Sequence, residues 1–156
     1  MHPNAQLIQS FYTSFQNLDS DGMKKCYHPS IQFSDPVFPS LSGKEPGAMW
    51  TMLVGNLKKS KDGWRCEVSN IQAHDTAGSC RWEAHYTFSG TGRRVHNIID
   101  AKFRFADGLI TKHDDTFDFY RWARMAFGVK GILLGWAPFF QNKVQATVKG
   151  LLAKQI

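Results

Sequence analysis

The chain has 156 residues, 42% of them apolar and 21% charged, which is enough apolar material for one core, too little for two, and too much for a disordered chain. No apolar run reaches the roughly 20 residues a spanning helix needs. The formal charge of +6 is concentrated at one end: six of the 19 basic residues lie beyond Asp118 and none of the 13 acidic ones does. The body is therefore neutral and lacks the basic, aromatic-interleaved stripe of a nucleic-acid binder, so no nucleic-acid partner is expected.

The opening MHPNAQLIQSFY has no basic segment followed by an apolar stretch and a cleavage site, which places the expected location in the cytoplasm. Cys26, Cys66 and Cys80 are odd in number and form no C-x-x-C pair. They read as buried free thiols.

Between Asn4 and Leu18 the residues Leu7, Ile8, Phe11, Phe15 and Leu18 recur at helical spacing, and Asp19-Ser20-Asp21-Gly22 stops the run. Ser20 or Asp21 then caps a short second helix through Tyr27, which His28-Pro29 closes because the residue before proline disfavours the helical region. Ile31 to Ser34 alternates as a short strand ending at Asp35-Pro36. Ser42 to Pro46 opens a third helix that carries Met49, Trp50, Leu53, Val54 and Leu57 on one side. From Trp64 to Tyr120 the pattern is strands, at 64–74, 80–89, 95–105 and 109–119, separated by DTAG, GTGRR and ADG turns. Helices packed into such a long-stranded, curved antiparallel meander predict an α+β cone with one end filled and the other open.

The last hairpin decides which residues face inward. A three-residue loop, Ala106-Asp107-Gly108, sets Ala101 opposite His113 and Asn97 opposite Phe117, and gathers Asn97, Ile99, Ala101, Phe103, Phe105 and Phe117 on one side with His113 and Asp115. A two-residue turn pairs the opposite parity and sends His113 and Asp115 outward, since side chains alternate with period two. The apolar grouping favours the three-residue loop.

Asp35-Pro36-Val37 after a short strand, Trp50 on the following helix, and the string His113-Asp114-Asp115-Thr116-Phe117-Asp118 resemble the nuclear transport factor 2-like superfamily. The resemblance is to its ketosteroid isomerase and polyketide cyclase (SnoaL-like) branch, and it covers residues 5–120. It implies a homodimer through the sheet, a general base at Asp35 and acid–base work by the His113-x-Asp115 strand. Two departures stand out. The isomerase oxyanion tyrosine falls at Phe11, with Tyr12 turned away by about 100°, and the second donor falls at Ala101. Loss of such donors costs about 10² to 10³ in rate each, so steroid isomerisation is not expected.

Each candidate group also has a bland reading. Asp35 is a general base with a raised pKa, or a turn aspartate accepting backbone hydrogen bonds. His113 and Asp115 converge on a bound molecule, or form a buried network that fixes register. Asn97 is in diagonal reach of Asp115. Phe15, Trp50, Trp82, Tyr86 and Phe103 line a pocket for a flat apolar ligand or simply fill the core. His113, Asp115 and Asp35 are acceptable ligand types for zinc or iron, but the His-x-Asp pair lacks a closely spaced third ligand, so no metal is expected; no organic cofactor is implied either. The function expected is a small-molecule pocket with acid–base isomerase, cyclase or hydrolase chemistry. The alternatives are a ligand-binding module without turnover and an interaction protein.

Residues 1–120 thus read as the domain proper and 121–156 as a helical extension of it. Arg121 to Phe127 forms one helix, Gly131 to Trp136 an apolar strip, and from Phe139 onward Phe140, Val144, Val148, Leu151 and Leu152 share the face opposite Lys143, Lys149 and Lys154. Such a tail serves as a lid, as a dimer contact or, ranked last, as attachment to an anionic membrane.

Overall fold

The computed structural model describes residues 1–60 and 62–156. Helix α1 (Pro3–Gln16) is capped by His2, whose Nδ1 accepts the Asn4 N–H at 3.0 Å, and begins at a proline whose missing N–H costs nothing there. Helix α2 (Ser20–Lys25) is capped one residue before the sequence expectation, by Asp19. It also ends before Tyr27, because strand β1 (Tyr27–Ser34) claims that residue. The short β2 (Leu41–Ser42) and helix α3 (Glu45–Lys59) follow.

Four long strands come next: β3 (Arg65–Ala73), β4 (Ala77–Thr87), β5 (Arg94–Ala106) and β6 (Leu109–Thr116). The six strands form one curved sheet in the order β2-β1-β6-β5-β4-β3. One pair departs from the antiparallel pattern, since β1 runs parallel to β6. The architecture is the expected α+β cone, with α1, α2 and α3 in the concave face. Cys26, Cys66 and Cys80 are all buried free thiols.

The last hairpin corrects the expected turn. Ala106 pairs with Leu109 across a two-residue turn, and Asp107 and Gly108 both have positive φ, 56° and 74°, the left-handed pair of a type I′ turn. Parity is nevertheless restored, because the register shifts between Arg104 and Phe105: Phe105 pairs with Ile110, Arg104 with Lys112, and Thr111 is the extra residue. This one-residue bulge turns His113 and Asp115 back inward. The pairing is moved by two residues from the expected one, so His113 lies opposite Phe103 and Asp115 opposite Ala101.

Three helices close the chain: α4 (Phe119–Phe127), α5 (Val129–Leu134) and α6 (Pro138–Ala153). Asp118 caps α4 through Arg121 N–H at 3.0 Å. The apolar strip expected at Gly131 to Trp136 is thus the helix α5 and its exit. It lies flush on α4 because Gly131 and Gly135 face it; a Cβ on Gly131 would overlap the Ala123 carbonyl. Gly131→Ala is therefore expected to push α5 off α4 and to cost about 1–3 kcal/mol, as forced overpacking does. Urea unfolding checks this, and a variant as stable as the wild type would refute the close approach.

Candidate functional site

Above its packed narrow end the cone is hollow, with a cavity of about 450 Å³. Trp82, Ala84 and Tyr86 of β4, Asn97 and Ile99 of β5, and Asp115 of β6 form its sheet wall. Helices α1 and α3 add Phe15, Trp50, Leu53 and Leu57, and the loop after β1 adds Asp35, Val37 and Phe38. The opposite wall comes from the C-terminal segment, through Trp122 and Phe127 of α4 and Phe140, Val144 and Val148 of α6. Exposed Lys130 and Lys143 also border the cavity, and with Asp35, Asn97 and Asp115 they are charged or polar groups in mostly aromatic and aliphatic walls.

The expected site residues divide into two groups. Asp35, Asp115, Phe15, Trp50, Trp82, Tyr86, Asn97 and Phe117 border the cavity. Phe11, Tyr12, Ala101, Phe103 and His113 do not border it; they lie fully or almost fully buried in the narrow end. The register explains this division. With Phe103 rather than Ala101 opposite it, His113 drops one layer towards the hairpin, where its ring meets Phe103 at 4.6 Å, Phe33 at 5.0 Å and Phe11 at 5.5 Å. Asp115 occupies the layer above.

His113, 0% exposed, anchors Asp115 from below. Trp50 Nε1–H donates to the Tyr27 hydroxyl at 2.9 Å, and that hydroxyl lies 2.8 Å from His113 Nδ1. Trp50 Nε1–H can only donate, and the buried Tyr27 proton finds its acceptor in Nδ1, which puts the imidazole hydrogen on Nε2. Nε2 then donates to Asp115 Oδ1 at 2.9 Å, and Trp82 Nε1 adds a second donor to the same oxygen at 3.3 Å. Among the described residues Oδ2 has no such partner, so Asp115, 3% exposed, keeps one oxygen for the cavity.

Asp35 is built on a similar division of labour. Its Oδ1 accepts the N–H groups of Val37 at 2.7 Å and Phe38 at 2.6 Å, which closes an Asx-type turn at the Asp-Pro step. Its pKa is pushed up to about 7: desolvation by the cavity walls dominates, the Asp115 charge adds to it, and the two N–H groups pull the other way. A carboxyl so placed gives or takes a proton near neutrality. Asn97 is buried, yet among the described residues its side-chain amide has no protein partner and borders the cavity, free for a ligand oxygen.

The family model of the SnoaL-like domain matches residues 8–113, more than half of the chain. The chain belongs to this family. No curated protein matches it. Among solved structures, the SnoaL-like chain is similar to an NTF2-like protein of unknown function from Burkholderia pseudomallei, at 16% identity and a TM-score of 0.68 over 82% of this chain and 100% of that one. An epoxide hydrolase of the LEH-like kind from M. tuberculosis shares 20% identity with a TM-score of 0.60, covering 88% and 95%. A candidate polyketide cyclase from Xanthomonas campestris shares 20%, TM-score 0.62, covering 80% and 96%. At these identities the likeness carries the NTF2-like fold and no more.

Two parts of the SnoaL-like site escaped the sequence reading. Helical spacing carries the second helix through Tyr27, but Tyr27, Ile31 and Phe33 share the odd parity of one strand face and all three are buried. Trp122, whose Nε1–H donates to Tyr86 Oη at 2.9 Å, carries no local signal; the face of Phe140, Val144 and Val148 is legible as a face, with a lid among its readings, but nothing local says which way a terminal helix folds back. Its docking is specific: Gln141 and Gln145 both donate to the Pro36 carbonyl, at 3.0 and 2.9 Å, and so tie α6 to the loop that holds Asp35.

Proposed function

We propose that this SnoaL-like protein is a cofactor-free acid–base enzyme of the isomerase, cyclase or hydrolase kind, acting on an apolar small molecule enclosed by the cavity. The observation that carries the reading is the pair of carboxyls on one apolar cavity, Asp35 held near neutrality and Asp115 fixed from behind. Asp35 takes the proton, from carbon or from a water molecule, through the oxygen its turn leaves free. Asp115 is the second acid–base group. His113, which does not border the cavity, acts only by positioning it. Asn97 offers its amide N–H to the substrate oxygen that gains charge, a donor on the cavity wall where the isomerase donors are replaced by Phe11 and Ala101. Helix α6 serves as the lid, and its glutamines link closure to the Asp35 loop.

Neighbours described as a polyketide cyclase and an epoxide hydrolase agree with a scaffold suited to such substrates. The test is a turnover screen of the purified protein, read by mass spectrometry, on apolar epoxides and on aromatic β-dicarbonyl compounds. Asp35→Asn and Asp115→Asn are each expected to lower any turnover found by about 10² or more. Turnover that survives both substitutions overturns the reading.

A further inference from the structure

Helix α5 is built inside out. Its small residues Gly131 and Gly135 lie against α4, and its large ones other than the half-buried Leu134 face away. Val129, Ile132, Leu133 and Trp136 follow the i, i+3, i+4, i+7 spacing of a single helical face. Val129 is 72% exposed, Leu133 63% and Trp136 69%, and Phe139 at the start of α6 adds another 60%. A continuous apolar strip of this kind on the outside of a chain marks a contact surface.

Backbone chemistry and charge name the contact. The last four carbonyls of a helix are normally left to water. Here each has a protein donor: Gly135 N–H on Gly131 O at 2.8 Å, Tyr120 Oη on Ile132 O at 3.0 Å, Trp136 Nε1 on Leu133 O at 2.9 Å and Ala137 N–H on Leu134 O at 3.0 Å. The C-terminal end of α5 can therefore leave water without stranding these carbonyls, and the Trp136 indole has already satisfied its only donor. From Phe119 to Ile156 there are six basic residues and no acidic one. Arg124, Lys130 and Lys143 are exposed, and among the described residues no carboxylate pairs with them. A second copy docked through the same face would bring two such acid-free segments together. An anionic surface is favoured instead, and an apolar strip in an all-basic segment, with exposed Lys130 beside Val129 and Lys143 one turn on from Phe139 and a tryptophan at its end, fits a lipid headgroup boundary.

We propose that α5 and its junction with α6 seat on the surface of an anionic lipid bilayer. The seating is peripheral, since no helix among the described residues is long and apolar enough to cross a membrane. Lys130 and Lys143, exposed next to the apolar strip, also border the cavity, so the seated face adjoins the cavity and an apolar ligand can pass from lipid to protein.

Co-sedimentation of the full chain with phosphatidylcholine vesicles, with and without phosphatidylglycerol, tests this. Binding to the anionic vesicles is expected to be about tenfold tighter or more and to weaken as salt is raised. The double variant Trp136→Ser, Phe139→Ser is expected to lose about tenfold or more of it while staying folded, since both side chains are exposed and the Leu133 carbonyl that Trp136 leaves can bond water in the free protein; circular dichroism checks the fold. Equal or absent partition into the two vesicle types, or a double variant that binds like the wild type, overturns the proposal. So does a wild-type oligomer that falls to monomer in the variant with no anionic-lipid preference, which assigns the face to a second copy.

Discussion

Asp35→Asn is expected to make the fold more stable above neutral pH while removing its proposed chemistry. An asparagine oxygen can still accept the Val37 and Phe38 N–H groups, so the turn survives and only the charge is lost. In the wild type the carboxyl titrates near 7 folded and near 3.8 unfolded. Between those values the native state binds the extra proton, so stability falls as pH rises through this window. Below 3.8 the carboxyl is neutral in both states and costs nothing; above 7 the whole cost is present. The gap bounds the gain in the variant at about 4 kcal/mol on the alkaline side, shrinking steadily towards acid. Urea unfolding of both proteins at pH 5 and pH 8 measures it. Equal stability at pH 8 would mean that the carboxyl is not desolvated. Activity should move the opposite way: wild-type kcat/KM rises with pH to a plateau, with a midpoint about 7, and the variant lacks that limb. A gain in stability coupled to a loss of turnover is the signature of a group kept in a costly environment for its chemistry.

Elements with a clean period were legible in the chain. The helix stripe of Ile8, Phe11 and Phe15 and the alternation along β5 each return as buried faces. What local pattern does not contain is register. Asp107-Gly108 reads equally well as a two-residue turn or as part of a three-residue loop, and the bulge at Thr111 has no composition signal, because it is set by how β5 and β6 coil around the core. The shorter turn and the extra residue in the bulge offset each other in parity, so His113 and Asp115 face inward as the pattern predicts but lie one layer away from the expected depth. That layer separates a cavity carboxylate from a buried imidazole. The C-terminal segment was less legible, since amphipathic spacing identifies a face without naming what covers it. In α6 the face of Phe140 and Val144 meets the cavity; in α5 the equivalent face meets solvent, because Gly131 and Gly135 win the contact with α4.

The Tyr27 hydroxyl is the second place where a single atom should have a large effect. Tyr27→Phe keeps the ring, which packs against Phe11 at 5.3 Å, and deletes one oxygen that accepts from Trp50 and donates to His113. Both partners are buried, and a stranded buried polar group costs about 1–3 kcal/mol, so the variant should lose about 2–4 kcal/mol. Denaturant unfolding reads this directly, and a loss under about 0.5 kcal/mol would show the chain of hydrogen bonds to be energetically idle. Adding His113→Leu to Tyr27→Phe should cost less than the sum of the two single losses, because the second substitution removes a group the first has already stranded. The functional consequence separates positioning from packing. With Nδ1 unpartnered the imidazole is free to take its other tautomer, and Asp115 Oδ1 then loses the Nε2–H that holds it. Ligand contact with the walls is untouched, so kcat should fall while KM stays near its wild-type value. Were KM instead to rise with kcat unchanged, Tyr27 would serve the shape of the cavity and not the aim of Asp115.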